Sequence, residues 1–326
     1  MANRPKLPKV EGIPILPHMG NSLPFIAGNV FHVRPKNGSD INAMPNQVER
    51  AYQTVGAALS AASPDQNDVI LMHAEGNSAD YCTSRQATAL NWNKDGVHLI
   101  GVHSGVSLSP RARISFVSTY AAAGPLITVS ASNCLFRGIG FFMGVADVTP
   151  VGCMAITGKR NRFEHCHITG FGHANNDIVG AYSLYLNGAE ENEFEACTIG
   201  NDRIACGAQA NSELLCGNAA KNNRFMDCVF KLVSTSATVH VFARVPASSL
   251  DGALTFIRTI GVNSQSRNVS GLELTYAMIV ASTAGGDVIV DPGSAFQASD
   301  LNSTNAGNVY VSGPVATAGL LIPVTQ

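Results

Sequence analysis

A block of eight residues recurs at a fixed interval, and this constrains the fold more than any other feature of the chain. Asn161-Arg-Phe163-Glu-His-Cys166-His-Ile168 returns as Asn192-Glu-Phe194-Glu-Ala-Cys197-Thr-Ile199 and again as Asn223-Arg-Phe225-Met-Asp-Cys228-Val-Phe230, 31 residues on each time. Between the copies lie short apolar runs and turn glycines, with no helical periodicity. A unit of this size cannot bury its apolar side alone, so the repeat predicts a solenoid of stacked β-coils whose equivalent strands lie ~4.8 Å apart. Equivalent side chains then stack in rows. Phe163, Phe194 and Phe225 are expected as an inner aromatic row, and Cys166, Cys197 and Cys228 as a small apolar row. Asn161, Asn192 and Asn223 are expected as a turn ladder of axial hydrogen bonds. A looser copy starts at Asn133, 28 residues before Asn161, and residues 97–102 read as an earlier coil still. About seven or eight coils fit the remaining length.

Composition agrees with a folded β protein. Hydrophobic residues make up 45% of the 326 and charged residues 13%, which leaves enough apolar surface for a core. With 21 Lys+Arg against 23 Asp+Glu the formal charge is −2, so the cation excess that tracks phosphates is missing and nucleic acid is not the expected ligand. The two long uncharged stretches, 114–136 and 301–326, are broken by Ser, Thr, Asn, Gly and Pro and read as β, not as membrane spans. The chain opens Met-Ala-Asn-Arg-Pro with no apolar leader, which predicts a cytoplasmic site of synthesis, reduced cysteines and no disulfides.

The chain divides into four expected stretches. Residues 1–40 form an extended arm with six of the 15 prolines, and up to Lys36 the cations Arg4, Lys6, Lys9, Arg34 and Lys36 face the single acid Glu11. Residues 41–75 hold a capping helix and a first strand. Apolar residues from Val48 to Ala62 fall at helical spacing, and Asn46 with Glu49 resembles a capping box. Residues 76–284 form the coils, and 285–326 a β-rich segment that is a possible trimer cap. Only nine charged residues lie between Lys231 and Gln326, so this third is easily buried between subunits.

The Asn-x-Phe-x-x-Cys-x-Ile coils resemble those of right-handed parallel β-helices of the pectate-lyase-like superfamily. The opening Gly28-Asn-Val-Phe-His-Val-Arg-Pro-Lys-Asn-Gly-Ser-Asp40, the helix over 54–62 and Asp68-Val-Ile-Leu are similar to β-helix proteins of tailed-phage particles, both tailspikes and trimeric capsid-decoration proteins. The resemblance implies an all-β fold: a right-handed single-stranded parallel β-helix with an N-terminal arm and a capping α-helix. It also implies a structural virion protein that cements the capsid surface as a homotrimer, its basic arm contacting the major capsid protein. The alternative it implies is a tailspike that binds or depolymerises bacterial surface polysaccharide.

Chemistry is sparse. Stacking at 31 residues puts Glu164 beside Glu195 at about 5 Å, near the separation used by retaining glycosidases, with Asp227 and Asp202 expected nearby. The preceding column, however, reads Arg162, Glu193, Arg224, an alternating charge ladder that needs no substrate. Glu164, Glu195 and Asp227 are therefore catalytic candidates only under the tailspike alternative, and the chain is read as a non-enzyme. In a strand, His165, Cys166 and His167 point to alternate sides and cannot share an ion. No metal or cofactor is expected. Trp92 and Tyr81 are candidate sugar platforms, more simply read as packing.

Overall fold

The computed structural model describes residues 28–76, 78–103, 108–149, 151–264, 273–302 and 308–312, with the backbone of the short strands at 9–10, 13–14 and 321–323. It is a parallel β-helix with three faces. One sheet has eleven strands and includes 30–33, 69–73, 98–102, 135–137, 162–164, 193–195, 223–226 and 253–257. The second has eight, among them 113–116, 140–142, 167–169, 198–200 and 229–232. The third, also of eight, includes 125–129, 152–156, 182–187, 211–217 and 240–245. These are the first, second and third sheets.

The repeat sets the register. Phe163 lies opposite Phe194, and Phe194 opposite Phe225. All three are fully buried, with neighbouring ring centroids 4.7 and 4.6 Å apart and planes within 12°. The stack extends to Phe136 on one side and Phe256 on the other. The asparagine ladder forms as expected. The Asn161 amide N–H donates to Asn192 Oδ1 at 2.9 Å and the Asn192 N–H to Asn223 Oδ1 at 3.1 Å, while each Nδ2 donates to a buried carbonyl one coil back. Cys166, Cys197 and Cys228 are buried free thiols whose Sγ atoms donate to the carbonyls of Phe136, Phe163 and Phe194.

The corners are columns too. His165, Ala196, Asp227 and Arg258 have φ between 47° and 52°, and Arg160, Glu191 and Asn222 between 53° and 55°. Left-handed non-glycine residues carry strain, but here the N–H groups of His165, Ala196, Asp227, Arg258, Arg160 and Glu191 donate into the next coil, as His165 does to the Glu195 carbonyl.

The upstream copy is shifted from its expected alignment. Phe136 pairs with Phe163, an interval of 27, so Cys134 and not Asn133 occupies the ladder position; its N–H donates to Asn161 Oδ1. Keeping the aromatic stack closed outweighs matching the asparagines, and Asn133 takes the left-handed turn at φ 58° instead. The expected capping helix from Asn46 is also corrected. Asn46 has φ 63°, which cannot start a helix, and its Oδ1 accepts from the Val30 N–H. The α-helix is Val55–Ala61, capped by Thr54 Oγ1, whose hydroxyl donates to Asp40. It buries Val55, Ala58 and Leu59 against the first strands of the first two sheets. A one-turn helix at Ala79–Cys82 is too short for sequence periodicity to reveal.

Both ends of the coil region run further than expected. Residues 30–33, inside the proline-rich stretch, pair in parallel with 69–73 as the first strand of the first sheet. Strands 287–290, 295–296 and 300–302 continue all three sheets, and the antiparallel strand 321–323 ends the first.

Candidate functional site

The carboxylates singled out in the sequence are locked by arginines. Glu164 and Glu195 face each other across adjacent strands of the first sheet. Glu164, only 6% exposed, receives Arg162 Nε at 2.6 Å and Arg137 Nε at 3.4 Å. Arg162 also pairs with Glu195 and, at 3.6 Å, with Glu193, which meets Arg224 at 3.6 Å. The alternating ladder is therefore present. Asp227 does not join the pair: Met226 occupies the row after Glu195, and Asp227 sits in the corner, held by both Arg258 nitrogens at 2.7 Å. Asp202 is not nearby either, because it follows a strand of the second sheet. Glu190 and Glu191 pair with Lys159 and Arg160. No group of three potential metal ligands gathers among the described residues.

Other candidates are placed individually. Arg4 and Lys6 lie outside the described residues, as does the side chain of Lys9. Arg34 ends the first strand and pairs with Glu75, Nε to Oε1 2.5 Å, and Lys36 is exposed. Trp92 is fully buried and donates to the Val97 carbonyl, so it is no sugar platform. Tyr81 is 38% exposed.

The second sheet carries the cleft that sequence reading missed, a groove of about 530 Å³. Two outward rows form its floor. Arg113, Gly140 and His167 line it in one and Phe142, Thr169 and Lys231 in the other, with the buried Thr198, Ser115 and Gly200 completing the rows. Arg111 and Arg203 rise at its rims. The Arg113 guanidinium lies over the Phe142 ring, 5.1 Å from its centroid. Lys231 pairs with Asp202 at 3.3 Å. The groove thus has four fixed cations and one carboxylate, on a chain whose formal charge is −2.

Gly200 makes the floor possible. Its φ is 89°, and a Cβ there would lie 2.1 Å from the Lys231 carbonyl oxygen. Its carbonyl accepts from His167 Nε2 at 2.8 Å and Thr169 Oγ1 at 3.3 Å. Because a carbonyl only accepts, His167 carries its proton on Nε2. Burial, with Lys231 and Arg113 adding to it, lowers the His167 pKa against the opposing pull of the Gly200 carbonyl and Asp202.

Behind Gly200 runs a buried polar chain. Ser183 Oγ donates to Glu213 at 2.5 Å, the other Glu213 oxygen meets His240 Nε2 at 3.1 Å, and His240 Nδ1 bonds Asn211 Oδ1. Asn211 Nδ2 donates to Asp177 at 2.6 Å, and Asp177 accepts from the Gly207 and Ala208 N–H groups. This chain ties the two loops that follow strands 167–169 and 198–200 to the third sheet.

A partial signal existed for the groove. Thr169, Gly200 and Lys231 recur at the 31-residue spacing, one step past the quoted repeat. Arg113 and Phe142 belong to coils of other lengths and only the fold aligns them.

No protein-family model matches this chain, and no curated protein matches it. Among solved structures, the pectin methylesterase from Aspergillus niger aligns at a TM-score of 0.53 and 13% identity, over 90% of this chain and 82% of that one. A pectin methylesterase in complex with hexasaccharide VII aligns at 0.52 and 14%, over 83% and 80%. Pectate lyase Pel9A aligns at 0.49 and 12%, over 89% and 81%. At such identities the pectin methylesterases share only a fold with this chain, the parallel β-helix.

Proposed function

We propose that this chain recognises polysaccharide, binding a glycan in the groove of the second sheet without cleaving it at the arginine-paired carboxylates. The observation that carries this reading is the groove itself. It offers a half-buried aromatic face at Phe142 beside convergent polar groups, the combination that fixes a sugar ring by contact and by hydrogen bonds. The shared fold with a pectin methylesterase described in complex with a hexasaccharide supports it. Glycosidase chemistry needs one carboxyl free to give up its proton and one free to attack, whereas Glu164 and Glu195 are each committed to arginine.

The finer readings implied by the phage resemblance, a capsid-surface homotrimer with the major capsid protein as partner, draw on arm residues that lie largely outside the described residues. The tailspike-like alternative, as a binder, is the one the groove favours.

The test is electrophoresis of the full chain through gels containing bacterial and plant polysaccharides, with a reducing-end assay alongside. Retardation without new reducing ends is expected, weakened by Phe142→Ala and unchanged in Glu195→Gln. New reducing ends abolished by Glu195→Gln would restore the carboxylate pair as an active site and overturn the reading. So would the absence of retardation by any polysaccharide.

A further inference from the structure

The charge balance of the groove points beyond a neutral sugar. Arg113 is half-buried, its guanidinium packs on the Phe142 ring, and no carboxylate among the described residues forms an ion pair with it. Burial, and then Arg111 beside it, lower its pKa. Asp202, the single acid of the groove, is committed to Lys231. A half-buried cation among like charges is unfavourable unless an anion completes it. The guanidinium carbon sits 5.1 Å from the Phe142 ring centroid, and a guanidinium packed on a ring in this way can still meet a carboxylate as a fork.

Resting on the saccharide reading, we propose that the groove is an acidic-sugar subsite. A uronate carboxylate is seated by Arg113, with Arg111 and Arg203 at the rims, and its charge is neutralised by guanidinium with no bridging calcium. His167 donates from Nε2 to the Gly200 carbonyl and presents a polar floor to the ring. Four cations within one groove suit isolated acid groups better than the dense phosphates of a nucleic acid.

The experiment compares polygalacturonate, alginate, hyaluronan and gellan with their carboxyl-reduced forms, in which each acid becomes an alcohol on an otherwise identical chain. The full chain is run against each by affinity electrophoresis, with and without EDTA. At least one acidic polymer is expected to bind about tenfold more tightly than its reduced form, a preference that EDTA leaves intact and salt weakens. Arg113→Gln is expected to erase that preference, whereas Lys221→Gln, a cation paired with Asp251 outside the groove, leaves it unchanged. If Arg113→Gln fails to fold by circular dichroism, Arg203→Gln, at an exposed position, is expected to weaken the preference in the same direction. Equal binding of acidic and reduced forms overturns the subsite and leaves saccharide recognition standing. No binding to either form overturns both. Loss of binding in EDTA, or duplex DNA retarded as strongly as the glycans, also overturns the subsite.

Discussion

His32 Nδ1 lies 2.9 Å from His73 Nε2, and the two ring centroids are 5.2 Å apart. At that distance one imidazole donates and the other accepts, so the pair cannot hold a proton on both facing nitrogens. Burial lowers the His32 pKa from 6.5 to about 4, with His73 adding to it, and burial lowers His73 as well. In the unfolded chain both titrate near 6.5.

Stability should therefore fall with acid. Between pH 6.5 and about 4 the unfolded state binds protons that the folded state refuses, so unfolding is favoured progressively as pH drops and levels off below the folded pKa. His98, His103 and His167, all lowered chiefly by burial, act in the same direction. Urea unfolding across pH 4 to 7 measures the slope. His32→Gln is expected to make it shallower, and an unchanged slope would show that the pair does not contribute.

Phe194 is the centre of the aromatic stack, with Phe163 and Phe225 at 4.7 and 4.6 Å. Phe194→Ala opens a void in a core that both neighbours wall. A loss of about 3–5 kcal/mol is expected by chemical denaturation. Phe194→Leu, which refills most of the volume, should lose less than half as much.

Asn192 satisfies groups in two other coils, accepting from the Asn161 N–H and donating to the Gly158 carbonyl. Asn192→Ala leaves the Asn161 N–H buried and unpaired and the Gly158 carbonyl with only the long bond from the Glu190 N–H at 3.5 Å, at a cost of about 1–3 kcal/mol. Asn192→Asp keeps the acceptor and loses the donor. Its deficit should shrink at low pH, when the carboxyl is protonated, and equal deficits at all pH values would show that the ladder does not act through hydrogen bonds.

Glu213 is 1% exposed and bridges Ser183 to His240 behind the groove. Removing one member of a buried polar pair strands the other, so Glu213→Ala is expected to destabilise by about 3–5 kcal/mol. The loops 170–181 and 201–210 should then gain amide hydrogen exchange relative to the Phe194 coil. Uniform exchange changes would mean that the network does not hold those loops.

The amino-acid order alone carried the architecture through the middle of the chain. A 31-residue interval with Phe, Cys and Asn at constant offsets admits one register, because slipping by a single residue would turn Phe163 and Phe194 to the outside. Burial of those rows and the Arg162–Glu193–Arg224 ladder follow from that register. Where the interval shortens to 27, the order of residues misled, since the phenyl stack through Phe136 and not the asparagine column decides the alignment. The capping helix was misplaced for a similar reason. Helical spacing runs back to Val48, but Asn46 is used by the Val30 backbone, and Asp40, fourteen residues before Thr54, helps to fix the start.

The groove was decided only by the tertiary structure. Arg113, Phe142, His167 and Lys231 come from four different coils of unequal length, and their outward rows meet because parallel pairing transmits register from strand to strand. Sequence spacing records which residues share a row when coils are equal. When they are not, hydrogen-bonded pairing and the fit of the core set the alignment, and with it the placement of charge on the surface.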